Sequence, residues 1–554
     1  MKKLAGVLLI AIGAIAATRA PDERARALHV LNRLTWGPRP GDVDRVVAMG
    51  VDQFIAQQLK PEAIPDRTLD QRLKSYEILK TSTRELAAGV REAQQQRQQQ
   101  QRAAGGDSAR MMDPEMRRGQ AAGQPDNAVR RLIGEYMNLT LVRHVTSERQ
   151  LNEVMVDFWT NHFNIFIGKG ADRFLLPGYI EETIRPRVFG KFEDLLLATA
   201  QSPAMLFYLD NAQSVAPGSK PPQLERLEAI RARGGVVRPR ARQGVNPQRM
   251  DSMMTQLESR MPKGINENYA REVMELHTLG VDGGYTQQDV ENLARILTGW
   301  GILQTRQDPK FVFNDWAHDR GAKTVLGRRF PAGKGMDEGV EALKMLARNP
   351  ATMRHLSAKL CARFVSDDVS DGCIDAGVHA WERTDGDIRE VVQAIITSKE
   401  FWDPANRASK LKTPLEFVAS ALRAVGAQID QTPAAAAIVA RLGQPLFGQQ
   451  PPTGYPETQE SWVNSGALLQ RMNVALGLAA GKLPGVTADV DGIVPAGTNV
   501  DQMIATVNAK LLSGTASENT LKTMRNQVAD LPDAATKRAM IVGLALGGPE
   551  FQKQ

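Results

Sequence analysis

The sequence predicts an all-α fold: a large multihelical domain with one small β-hairpin and two disordered insertions. Three observations lead there. Apolar residues recur at helical spacing through most of the chain, strand signals are confined to one short region, and two polar low-complexity stretches break the pattern. With 554 residues, 42% of them hydrophobic, the chain can bury a large core.

Taken in order, Met1-Lys2-Lys3 followed by the apolar run 4–16 gives a charged start and a hydrophobic stretch too short to span a membrane, the pattern of a signal peptide. Ala14-Ile15-Ala16 supplies small residues for cleavage, so a signal peptide over 1–16 and a mature chain over 17–554 are expected. An uncleaved N-terminal anchor is the alternative. No later stretch reaches eighteen apolar residues, so no transmembrane helix is expected after signal cleavage, and the protein should be periplasmic or secreted.

Helical periodicity then predicts helices at 24–34, 40–59, 129–166, 179–200, 266–279, 287–300, 337–348 and 351–365, with several more after 388. The stretch 92–127, rich in Gln and Gly, has too few apolar residues to offset ordering entropy and should be a disordered or fraying helical loop; 215–262 reads the same way and should lie outside the core. Such an excursion is tolerated where its ends already meet, so Leu209-Asp210-Asn211 and Asn266-Glu267-Asn268 should be neighbours. Residues 310–315 and 323–326 read as the two strands of one hairpin around Ala317-His318-Asp319-Arg320-Gly321. Thr286 with Asp289 three residues on reads as a capping box opening a helix.

The formal charge is +7, but its distribution argues against nucleic acid. Residues 91–131 carry eight basic and five acidic groups, and 220–263 carry ten and four. With those stretches and the two signal lysines set aside, the remainder is net −4. A phosphate-binding face would place basic groups on the folded part among stacking aromatics, and aromatic content is only 5%. The two cysteines, Cys361 and Cys373, exclude a cysteine-based zinc or iron–sulfur site. The turn-forming residues between them allow a disulfide, with two buried thiols as the alternative.

Several phrases carry a family resemblance. These are Leu31-Asn32-Arg33-Leu34-Thr35-Trp36-Gly37-Pro38, Asp157-Phe158-Trp159-Thr160-Asn161-His162-Phe163-Asn164 and the run NENYAREVMELHTLGVDGGYTQQDVENLARILTGW over 266–300. His318-Asp319, Lys323 through Gly327, Pro451-Pro452 with Ser461-Trp462, and Pro549-Glu550-Phe551 follow in order. Together they resemble the family called domain of unknown function 1800, nearly end to end. The resemblance implies export and a largely helical fold, and leaves activity unassigned.

The candidate site is polar. On the helix from Asn266, Glu267, Arg271 and Glu275 share a stripe with Asn268 and Glu272 beside it, while Tyr269, Val273 and Leu276 lie opposite. A solvent-facing ladder of ion pairs is the plain reading. A site becomes the reading if Asp210 and Asn211 join the same end. Glu267 or Glu272 would be the general acid or base, and Arg271 would orient it or hold an anionic substrate. His318 and Asp319 are further catalytic candidates, although a turn stabilised by Asp also explains them. Asn161, Asp210, Asn211, Asn266, Asn268 and Glu275 would bind substrate. His162 and His277 fall on apolar faces, either as core histidines or as ligands of a divalent metal, the one cofactor the residues suggest. No HExxH, GxSxG, Walker loop or dinucleotide fingerprint is present. An envelope or extracellular hydrolase is therefore expected, with a non-catalytic envelope binding or assembly protein as the alternative; the partner would be an envelope or extracellular ligand.

Overall fold

The computed structural model describes residues 22–103, 125–232, 247–260, 264–303 and 307–554. Residues 1–16, where the signal peptide is expected, lie outside that set, as do 104–124 and 233–246 of the two expected insertions. Helices account for 64% of the structure, and the β structure among the described residues is three two-stranded antiparallel sheets, so the all-α expectation holds. Among the described residues no helix is long and apolar enough to cross a membrane. The chain forms two compact units: residues up to Ser82 with Glu92–Asn164 and Leu356–Gln554, and Thr83–Arg91 with Ile165–His355.

In the first unit the expected long helices are broken where the chain supplies a competing geometry. Gly50, at φ +93°, separates Asp42–Met49 from Val51–Gln58. Ser147 separates Pro125–Thr146 from Gln150–His162, because the Gln150 amide donates to the carbonyls of His144 and Ser147 at 3.0 and 2.8 Å and satisfies the first helix's end.

The phrase around Trp36 is a packing knot. Trp36 stacks on His144 with ring centres 4.0 Å apart, its backbone N–H donates to Gln150 Oε1 at 3.0 Å, and Arg33 donates to the Asn406 carbonyl at 2.7 Å. Gly37 sits at φ +93°, and a Cβ there would lie 2.5 Å from Ser420 Oγ. Gly37→Ala should therefore cost about 1–3 kcal/mol, read as a lower thermal midpoint. An unchanged midpoint would show that this backbone is free to relax. The closing phrase is structural as well: Gln552–Gln554 pairs with Lys410–Lys412 through three backbone hydrogen bonds, and Phe551 is buried under the Lys412 ammonium.

In the second unit the single hairpin expected from 310–315 and 323–326 proves to be two. Lys310–Phe313 pairs with Trp300–Leu303, and Lys323–Val325 pairs with Arg328–Phe330. The cause is Leu326-Gly327: both take positive φ, 49° and 77°, closing a two-residue turn that claims the second strand locally. The helix from Asn268 also departs from simple periodicity. It is α-helical over Asn268–Glu272 and a π-helix over Val273–His277, with Thr278 Oγ1 donating to the Val273 carbonyl at 2.6 Å. The wider turn shifts the buried face, so Met274 and His277 are buried and Leu276 is not. The Thr286–Asp289 capping box is present.

Within 215–262, expected to be disordered throughout, Pro222–Ala232 and Pro247–Arg260 are helices that share a small core of Leu224, Met250 and Met254. Glu92 to Ala103 continues the Thr83–Ala103 helix, which fits the fraying helix allowed for that stretch. Charged and Gln-rich faces concealed a few apolar residues at helical spacing.

Candidate functional site

The ends of the second insertion do meet. Val215 N–H donates to the Gly264 carbonyl at 3.1 Å, Asn266 reaches the Asp210 carbonyl at 3.4 Å and Asn268 the Leu209 carbonyl at 3.4 Å. Asp210 takes a left-handed conformation, φ 59°, and its carboxylate pairs with Lys169 at 2.9 Å. Asn211 is spent on structure, donating to the carbonyls of Leu297 and Trp300.

The helical stripe is the ion-pair ladder. Arg271 lies 3.4 Å from Glu267 and 2.8 Å from Gln287, and both ends of the Arg271–Glu267 pair are about 40% exposed. Burial, with Glu275 adding, raises the Glu272 carboxyl above the usual range, and Tyr285 donates to Glu275 at 3.3 Å. None of these groups lines a described cavity.

His318 and Asp319 belong to a buried network. His318 Nδ1 donates to the Thr298 carbonyl at 2.9 Å, and Nε2 lies 3.2 Å from Glu338, which also takes Lys323 at 2.7 Å. The Lys323 and Glu338 side chains are each 1% exposed. Asp319 is clasped by Arg295 at 2.8 and 3.2 Å; burial alone would raise its carboxyl, but Arg295 and the Gly321 N–H hold it below the usual range.

Asp172, near Lys169 and Asp210, is fully buried, and neither carboxyl oxygen has a hydrogen-bond partner. Burial pushes it up to about 9 against the pull of Lys169. Its folded value exceeds its unfolded one, so its contribution is intact below about pH 4 and is lost as pH rises toward 9. Asp172→Asn should match the native protein near pH 4 and exceed it by about 2–4 kcal/mol near pH 8. Parallel stability curves across that window would place a compensating partner on Asp172.

The first unit holds a cavity with about 50 Å³ of free space. One face is a helix stripe, Asp157, Thr160 and Asn161, at i, i+3 and i+4, with Asn164 just beyond the helix end. The opposite face is the loop from Phe447 to Glu457. Two side-chain amides fix that loop: Asn161 gives its N–H to the Tyr455 carbonyl at 2.8 Å and accepts the Tyr455 N–H at 2.7 Å, and Asn164 donates to the carbonyls of Gln449 and Pro451. Phe447 forms part of the wall at φ +57°, a conformation that costs a residue of this size about 1–3 kcal/mol and persists only where surroundings enforce it.

Arg363 closes the floor. It lies 2.8 Å from Glu416, 3.2 Å from Glu457 and 4.0 Å from Asp157, with its guanidinium 5.7 Å over the Trp36 ring. Burial pushes the Asp157 carboxyl up to about 7 against the pull of Arg363, with Glu457 and Glu416 adding to the rise. Its side chain remains 27% exposed and lines the cavity, so solvent moderates the rise. Burial would raise Glu416 too, but Arg363, the Gln554 amide and the Thr413 N–H keep it low.

His162 leaves this stripe and meets Lys359, whose Nζ lies 3.0 Å from its Nδ1. Burial lowers the Lys359 amine to about 8, with Glu457 opposing. His277 is in the other unit, and among the described residues no group of three or more His, Cys, Asp or Glu could hold a metal. Of the sequence candidates, Asn161 lines the cavity, while His162 is buried beside Lys359. Asp157, Arg363, Glu416 and Glu457 were missed. The signal for Asp157 was its place in the Asn161 stripe; Arg363 and Glu457 are too distant in sequence to leave one.

These features define a multihelical protein with a small acid–base pocket floored by a buried arginine. The chain belongs to the DUF1800 family, described as "Protein of unknown function (DUF1800)", whose family model matches residues 29–553. No curated protein and no solved structure matches it.

Proposed function

We propose that the chain is an envelope or extracellular hydrolase working in the periplasm or outside the cell, with Asp157 as its general acid. The observation that carries this is the position of Asp157 in the cavity wall beside Glu416, Glu457 and Arg363, where burial pushes its carboxyl up to about 7. A carboxyl so poised can protonate a leaving group as water attacks, which a carboxylate of ordinary acidity cannot do near neutral pH. Arg363 holds the cavity's negative groups apart and would stabilise the carboxylate left after transfer. The cavity admits only the small end of a substrate. Export is supported by the charged and apolar opening of the sequence and by the bond between Cys361 and Cys373, since disulfides persist in oxidising compartments.

A non-catalytic binding or assembly protein is the second reading, favoured by one observation: the Asn161 and Asn164 amides are already committed to the loop. The two readings part on panels of glycan, peptide and ester substrates assayed with native protein and Asp157→Asn. Turnover that Asp157→Asn removes supports the hydrolase. Turnover it leaves intact refutes the assignment, and no turnover on any panel favours the second reading.

A further inference from the structure

We infer that the Cys361–Cys373 disulfide is a positioning crosslink for the Asp157 pocket, so that the pocket is assembled only in oxidised protein. This rests on the pocket being the working site. The bond joins the last turn of Pro350–Phe364 to the first turn of Asp371–Thr384, with Cα atoms 6.1 Å apart. The short ring it closes contains both groups that grip the far end of the cavity loop. Arg363 holds Glu457 at 3.2 Å, and Asp367 accepts the Gln459 N–H at 2.9 Å while pairing with Lys410.

The crosslink acts where the helix is weakest. The carbonyls of a final turn have no helical N–H to accept, so a last turn frays unless anchored. Here the Cys361 carbonyl accepts from the N–H of Val365 at 2.8 Å and of Ser366 at 3.3 Å, which turns the chain out of the helix two residues after Arg363. Both cysteines are at most 1% exposed, so the bond is a built-in brace rather than a surface sensor. Without it, the Arg363 turn and the Asp367 turn move independently, and the Phe447 to Glu457 loop loses its shared hold.

The test is the Asp157 side-chain titration, followed by carboxyl carbon NMR in the native full chain and in Cys361→Ala/Cys373→Ala. A merely structural bond would lower the thermal midpoint and leave the titration of the still-folded protein in place. The positioning role predicts that the loop opens to water and the midpoint falls from about 7 toward the ordinary carboxylate value of about 4. An unchanged midpoint in folded double variant overturns the inference. If the double variant does not fold, Asp367→Ala, which keeps the disulfide but releases Gln459, must move the midpoint the same way; no movement overturns it. A native midpoint near 4 would instead refute the proposed function, so the two failures are distinguishable.

Discussion

Arg363→Met should destabilise the first unit by about 3–5 kcal/mol, lowering the thermal midpoint by roughly 5–15 °C. The size follows from what is left behind. Glu416 and Glu457 would lose their shared guanidinium in a site where Arg363 is only 6% exposed, and Asp157 would lose the cation beside it. Methionine fills the space over Trp36 but supplies no donor. Arg363→Lys should fall between the two, because a point charge cannot serve Glu416 and Glu457 with the geometry of a planar fork. The pH dependence has a definite sign. Glu416 is held below its unfolded value, so its contribution is present above about pH 4 and is lost as pH falls through the folded value. The gap between native and Arg363→Met should therefore narrow in acid. A midpoint within about 1 °C of native at pH 7 would show that the three carboxylates are solvated.

Asp157→Asn should separate activity from stability in opposite directions. As general acid, Asp157 supplies on the order of 10²–10⁴-fold in rate, and that factor should vanish in the variant. Native activity should decline as pH rises through about 7, and the residual activity of the variant should not follow that limb. Stability moves the other way. The folded carboxyl value lies above the unfolded one, so its contribution is present below about pH 4 and lost as pH rises through 7. A neutral amide escapes that loss, and Asp157→Asn should be more stable than native by about 1–3 kcal/mol at pH 8. A group kept at such a cost is doing something other than holding the fold. Activity that instead rises through pH 7 would make Asp157 a base.

Much of the fold was legible because it is written locally. The Thr286–Asp289 box, the apolar stripes and the turn residues between Cys361 and Cys373 each act within a few positions. The approach of Asp210 and Asn266 was legible for a different reason, since a polymer excursion is cheapest where its ends are together. The pairing of strands 310–313 and 323–325 was not, because a positive-φ Leu326 beside Gly327 decides it and leucine seldom signals such a turn. Nor was the π turn that leaves Leu276 outside the core, although the burial of His277 was expected.

The site was less legible than the fold. The stripe from Glu267 to Glu275 has the carboxylates and arginine of an active site, but an exposed ladder and a pocket look alike on a helical wheel. Asp157 stood inside a recognised phrase, yet what makes it unusual is the company of Arg363, Glu416 and Glu457, some two to three hundred residues further along. Proton affinity is a property of that assembled surrounding, not of the phrase.

The most direct test of the account is the titration of the Asp157 carboxyl carbon by NMR in the isotopically labelled, oxidised full chain, assigned by its disappearance in Asp157→Asn. The account predicts a midpoint near 7. A midpoint near the ordinary carboxylate value of about 4 would contradict it, because the group would then be ionised throughout the neutral range and unable to serve as an acid.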